Sequence, residues 1–156
     1  MSAMKEKYLP LGARLILGAI FTFFGLNGFL NFMPMPDPPG AAGEFMAALA
    51  ATGYMFPLIK AAEVIGGLML LSGRFVPLSL ALLAPGIVNI VLFHVFLAPA
   101  GLPMAVLLVL LAVYLAFSYR DVYRPMLSAR ARPTARKRPM ERFQYERPLR
   151  RTAEAR

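Results

Sequence analysis

Five polar side chains lie inside apolar stretches of the sequence, and their types suit proton transfer and hydrogen bonding. Lys60 and Glu63 stand three residues apart in the motif KAAEVIGG, a spacing that places both on the same face of a helix. The other three are Asn27, Asn89 and His94, which is the only histidine of the chain. Ionisable groups are costly inside a membrane, so they are candidates for a functional site.

We interpret Glu63 and His94 as candidate catalytic residues, because a carboxylate and an imidazole can exchange protons with a bound molecule. Lys60, Asn27 and Asn89 are candidate ligand-binding residues, since ammonium and amide groups donate hydrogen bonds. Each has a structural alternative. Lys60 and Glu63 would form an ion pair, the asparagines would hydrogen-bond between helices, and the histidine would lie at the membrane interface.

The composition predicts an integral membrane protein. Of the 156 residues, 58% are hydrophobic and 16% are charged, and the mean hydropathy is +0.59. A soluble domain of this size needs more charge to cover its surface. Residues 75–119 form a run of 45 positions without a formal charge, which is long enough for two spanning helices of about 20 residues each.

The predicted fold is all-α, a bundle of four transmembrane helices. Each of the four apolar segments has a proline at or beside its start, and these are Pro10, Pro57, Pro77 and Pro103. These places fit the first turn of a helix. The segments are residues 11–33, 55–71, 75–97 and 102–117.

The loop after the first segment predicts a fifth, shorter helix. A proline-rich run comes first and forbids a helix, and the alanine-rich stretch that follows is too short to cross a membrane. An interfacial or re-entrant helix with Glu44 near its positive end fits best. The predicted organisation is an N-terminal segment (1–10), a transmembrane domain (11–120) and a basic, disordered C-terminal tail (121–156).

The distribution of basic residues predicts that both termini lie in the cytoplasm. Lys5, Lys7 and Arg14 flank the start of the first segment, Arg74 lies in the turn between the second and third, and Arg120 begins the tail. With this orientation, the five candidate residues fall within roughly 12 Å of the outer membrane surface. However, Asn89 and His94 are about 140° apart on an ideal helix, which predicts that they do not point to one spot.

Cysteine is absent from the sequence, which excludes disulfide redox chemistry, iron–sulfur clusters and thiolate metal sites. A single histidine also excludes a bis-histidine haem within one chain. No metal site is predicted. A redox role would therefore depend on a bound organic cofactor, with quinone as a possibility, or on a partner protein.

The tail carries most of the net charge of +9. Residues 121–156 hold 11 basic against 4 acidic residues, and they contain too few apolar residues to fold alone. Anionic lipids are the expected partner besides the bilayer itself. A soluble redox partner is the alternative, and nucleic acid is not expected because no folded reading domain accompanies the charge. A homo-oligomer also remains possible.

Three stretches carry a resemblance to a known family. They are FGLNGFLNF (24–32), AAGEFMAALAATGYMFPLIKAAEVIGGLMLLSGRFVPL (41–78) and LLAPGIVNIVLFH (82–94), and they resemble the DoxX family of small bacterial membrane proteins over about residues 11–120. The resemblance implies a four-helix bundle in the bacterial inner membrane. Some members are subunits linked to thiosulfate oxidation with quinone as the acceptor. Lys60, Glu63, Asn89 and His94 match recurrent polar positions of the family.

Three functions are consistent with the sequence. The favoured one is the membrane subunit of a redox system that binds a quinone-like molecule, which would make the chain part of an oxidoreductase. The second is a transporter of small molecules or protons, which the nearly apolar cytoplasmic half disfavours. The third is a non-catalytic membrane scaffold, in which the polar side chains only lock helices together.

Overall fold

Helices form nearly all of the structure. The computed structural model describes residues 2–34, 37–126 and 129, and these include no strand. The helices are α1 (Ser2–Leu30), α2 (Ala41–Ala51), α3 (Met55–Ser72), α4 (Val76–Phe96), α5 (Leu102–Ser118) and α6 (Arg120–Tyr123), with a short 3-10 turn at Pro99–Gly101. The predicted all-α class is confirmed.

Four of the helical stretches are long and apolar enough to cross a membrane. They are Tyr8–Leu30, Met55–Ser72, Val76–Phe96 and Pro99–Ser118, with lengths of 18 to 23 residues. A rise of about 1.5 Å per residue makes even the shortest roughly 27 Å long. The prediction of four spans is confirmed, and α2, with 11 residues, is the shorter helix predicted after the first span.

The first helix differs from its predicted bounds at both ends. Pro10 lies inside α1 rather than in its first turn, because its fixed φ is compatible with a helix and the residues before it remain helical. At the other end, α1 stops at Leu30 and Asn31 has a positive φ of 50°. The expectation that the segment from residue 11 to residue 33 forms the first helix is therefore wrong in its limits.

The four long helices pack as a ring in which α1 contacts α3 and α5, and α4 contacts the same two helices. Its centre is a cluster of apolar side chains from all four helices. Leu17, Leu70 and Leu115 are completely buried there. Side chains on the outside of the ring are mostly large and apolar, as expected for a surface in contact with lipid.

Two consecutive glycines let α3 approach two neighbours at once. A Cβ on Gly67 would lie 2.6 Å from the backbone nitrogen of Thr22 and 2.9 Å from the carbonyl oxygen of Gly18, both in α1. A Cβ on Gly66 would instead meet the side chain of Leu83 in α4. Because adjacent residues are 100° apart on a helix, the pair serves both interfaces.

A buried hydrogen bond joins α3 to α4 beside this contact. The hydroxyl of Ser79 is completely buried and donates to the carbonyl oxygen of Gly66 at 2.7 Å. Gly73 ends α3 in the left-handed conformation, with φ of 71°, and α4 begins three residues later. The two helices are therefore joined by a tight turn and held by a polar contact within the apolar core.

Tyr123 lies outside the spanning segments. It attaches α6 to the first turn of α4. Its phenol donates a hydrogen bond to the carbonyl oxygen of Pro77 at 2.9 Å, and burial raises the pKa of Tyr123 above its usual value of 10.0. We expect the contact to be intact below pH 10 and to weaken as the pH rises through the raised pKa, since the phenolate cannot donate.

The measurement is an ultraviolet titration of phenolate absorbance in wild type and Tyr123→Phe. The difference between the two curves should give a midpoint above 10. A difference midpoint at or below 10 would contradict the assignment of a buried phenol.

The predicted basic tail falls almost entirely outside the described residues. Only residues 121–126 and 129 of that segment are described, and Arg124 forms an exposed ion pair with Asp121 at 3.4 Å. The expected disorder of the tail and its binding of anionic lipids therefore remain predictions.

Candidate functional site

A cavity of about 330 Å³ lies beneath α2, between the first half of α3 and the second half of α4. Most of its wall is apolar. The contributing apolar side chains are Phe45, Met46, Leu49, Met55, Phe56, Ile59, Pro85, Ile90 and Phe93. Its size falls within the range typical of pockets for small organic molecules.

Four of the five predicted site residues line this cavity: Lys60, Glu63, Asn89 and His94. Their elements explain the convergence, because α3 runs away from the α2 end of the bundle and α4 returns to it. Residues near the start of α3 and near the end of α4 therefore reach the same level. Asn27 does not line the cavity.

Lys60 and Glu63 form an ion pair within α3. The ammonium nitrogen lies 2.8 Å from the carboxylate Oε2, and the side chains are 18% and 11% exposed. The ammonium also lies 5.5 Å from the centre of the Phe56 ring, a favourable position for a cation. The stem of Lys60 packs against Gly28 of α1. The pair thus holds two opposite charges at the cavity wall with little access to solvent.

The orientation of His94 is fixed by the turn after α4. Its Nδ1 lies 2.9 Å from the carbonyl oxygen of Ala98, and its ring packs closely on Gly101 and edge-on against Phe93. A carbonyl oxygen only accepts, so Nδ1 carries the proton of this hydrogen bond. In the neutral ring, Nε2 then has a free lone pair that can accept a proton or a hydrogen bond.

Asn89 is exposed and lines the cavity. Its side chain has no hydrogen-bond partner among the described residues. It shares the cavity with His94 although the two are separated by about 140° on an ideal helix. The cavity resolves this conflict because its walls cover about half of the circumference of α4, from Pro85 round to His94. Both residues therefore line one cavity, although they lie at different parts of its wall.

The side chain of Asn27 forms hydrogen bonds with the backbone of the loop after α1. It is 5% exposed, its amide nitrogen donates to the carbonyl oxygen of Met33 at 3.0 Å, and its Oδ1 accepts from the Met33 backbone nitrogen at 2.7 Å. These two bonds fold the chain back at the end of α1. The side chain shapes the loop that leads to α2 rather than facing the cavity.

None of the five side chains forms a hydrogen bond or ion pair between two long helices in the described part of the chain. Lys60 and Glu63 pair within α3, and His94 bonds to the turn that follows its own helix. The side chain that does link two long helices is Ser79, outside the cavity. The polar groups of the cavity are thus not explained by cross-linking of the bundle.

The aromatic residues of the cavity were missed in the sequence. Phe45 of α2 packs against Phe93 of α4 with ring centres 5.7 Å apart, and this contact places α2 over the cavity. The alanine-rich sequence of α2 predicted a helix, yet it contained no signal for what that helix covers. Phe45 is the only aromatic residue of α2, and this was the one feature that could have marked the position of the contact.

A second cavity, of about 400 Å³, lies between α4 and α5 and is lined only by apolar side chains. It contains no group that can exchange a proton or donate a hydrogen bond. It has the character of a groove on the lipid-facing side of the bundle, so the cavity beneath α2 is the candidate site.

A family model described as DoxX matches residues 9–96, which is more than half of the chain. The matched region contains α2 to α4 and almost all of the spanning part of α1, and with them all five predicted site residues. No curated protein and no solved structure matches the chain.

Proposed function

The chain belongs to the DoxX family of multi-pass membrane proteins, and on this premise we propose that it binds a quinone-like ring molecule in the cavity beneath α2. It would act as the membrane subunit of a redox system. The observation that carries the proposal is the presence of four polar side chains around an otherwise apolar cavity of about 330 Å³.

The chemistry of the cavity fits such a molecule. Phe45, Phe56 and Phe93 provide flat apolar surfaces for a ring, and the amide of Asn89 and the ammonium of Lys60 can donate hydrogen bonds to its carbonyl oxygens. These donors are two of only a few polar groups in a largely apolar wall, the arrangement that fixes the orientation of a ligand.

Glu63 and His94 are the proton-handling groups in this proposal. When a quinone accepts two electrons from a partner protein, it takes up two protons, one at each oxygen. The free lone pair of His94 Nε2 and the carboxylate of Glu63 can each hold a proton for such a step. Lys60 holds the carboxylate in place through the ion pair at 2.8 Å.

The cellular setting is part of the same proposal. The basic residues at the end of the bundle that contains the turn between α3 and α4 favour a location in the bacterial inner membrane with both termini in the cytoplasm. The α2 end and the cavity would then face the outer side. The basic tail would contact anionic lipids or a soluble redox partner.

A non-catalytic scaffold is the second candidate. The stem of Lys60 packs against Gly28 of α1, so the ion pair supports a contact between two helices even though both charges belong to α3. This candidate predicts that changes to the polar residues alter only stability.

The test of ligand binding uses the protein purified in mild detergent. We expect solvent extraction and mass spectrometry to recover a quinone-like molecule in near-stoichiometric amount, and Gly86→Leu to remove it. Gly86 lines the cavity, and a Cβ there meets no atom within 4 Å. A Cβ therefore has room there, and the rest of the leucine side chain would occupy the space that the ligand needs.

Gly12→Leu is the matched control. Gly12 lies in α1 away from the cavity, and a Cβ there also has open space. The control should keep the bound molecule. A wild-type protein that carries only phospholipid, or a Gly86→Leu protein that keeps its ligand, would count against the proposed site.

A further inference from the structure

Arg14 carries a charge inside the membrane-spanning stretch that the described residues do not neutralise. It lies six residues after Tyr8, where the apolar stretch of α1 begins, which is about 9 Å along the helix. Its Nε is buried without a hydrogen-bond partner. An arginine side chain keeps its charge in proteins, so an unpaired guanidinium at this depth is costly.

The position of the guanidinium is fixed by the turn between α3 and α4. It lies directly against Gly73, where a Cβ would overlap it. Arg74 follows at once and is exposed. The positive end of α4, which begins at Val76, faces the same turn. Two arginines and a helix start thus concentrate positive charge at one place.

The described acidic residues cannot serve as the counter-ion. Asp37, Glu44 and Glu63 lie at the α2 end of the bundle, and Asp121 already pairs with Arg124.

We propose that Arg14 and Arg74 bind the phosphate of an anionic phospholipid at the end of the bundle opposite the cavity. A guanidinium binds phosphate oxygens with charge-assisted hydrogen bonds. The long side chain of Arg14 extends from its place within the span to the turn between α3 and α4, next to the headgroup region. A phosphate held on a lipid is already present in the headgroup region, whereas a free anion would have to leave water.

Native mass spectrometry of the detergent-purified protein, titrated with phosphatidylglycerol and with phosphatidylcholine, tests this site. We expect wild type to prefer phosphatidylglycerol and Arg14→Gln to weaken its binding by about tenfold, the loss expected for one charge-assisted hydrogen bond. Arg74→Gln should weaken it to a smaller extent. Circular dichroism establishes whether each variant is folded. If Arg14→Gln does not fold, the loss of lipid binding in Arg74→Gln tests the proposal, because Arg74 is exposed.

Arg120→Gln is the matched control, because it removes the same charge from an exposed residue at the same end of the bundle. Because Arg120 adjoins the basic tail, the control should lower the preference for phosphatidylglycerol only slightly, by the general loss of one positive charge. An equal loss of binding in the control would mean that any positive charge at this end of the bundle has the same effect, and it would overturn the proposal. Excess inorganic phosphate should not displace the lipid, and displacement would show a site for free anions instead.

Discussion

Gly67→Ala is expected to destabilise the bundle by about 2 kcal/mol or more, within the upper range for overpacking of a tight contact. The added Cβ would lie 2.6 Å from the backbone nitrogen of Thr22 and 2.9 Å from the carbonyl oxygen of Gly18. Backbone atoms cannot rotate away as a flexible side chain does. The whole of α1 would have to move off α3, at the most extensive helix contact of the bundle.

Gly12→Ala, also in the pair formed by α1 and α3, is expected to have the opposite effect and to raise stability. A Cβ at Gly12 meets no atom within 4 Å, so alanine should stabilise α1 by about 0.5 to 1 kcal/mol through its better helix propensity. Chemical unfolding in mild detergent, followed by circular dichroism, gives both values. Equal stability of the two variants would mean that α1 and α3 do not approach as closely as described.

The spanning helices were predictable because they depend on local properties of the chain. Length, a low number of charges and prolines such as Pro77 and Pro103 define each span without reference to its neighbours. Pro10 shows the limit of this reasoning, since proline is compatible with a first turn and with the interior of a longer helix. The choice depends on the residues before it.

The candidate site was predictable only in part. Estimates of depth placed all five candidate residues in the outer half of the membrane, and the structure brings four of them to one cavity. Depth could not show that Asn27 bonds to the backbone of Met33, because that contact depends on how the chain turns after α1. It also could not show that α2 covers the cavity through Phe45, since docking of a short helix leaves no periodic signal.

Glu63→Gln is expected to reduce the binding of a short-chain quinol, decylubiquinol, by about tenfold, because the carboxylate accepts a charge-assisted hydrogen bond from a quinol hydroxyl. It should also lower stability, because the ammonium of Lys60 is left without its carboxylate partner at 2.8 Å. Glutamine is close to glutamate in size and can still accept a hydrogen bond. The change therefore removes charge and proton exchange while it leaves the shape of the cavity in place. Equilibrium dialysis in detergent measures the binding.

The double variant Lys60→Met/Glu63→Gln separates a ligand site from a scaffold. Methionine keeps an unbranched stem against Gly28, and removal of both charges avoids an unpaired ion, so stability should return to within about 1 kcal/mol of wild type. If the Lys60–Glu63 pair serves the ligand, the quinol remains unbound in this stable protein. If binding returns together with stability, the pair only supports the fold. Because both charges belong to α3 and cross-link no helices, we expect stability to return without binding.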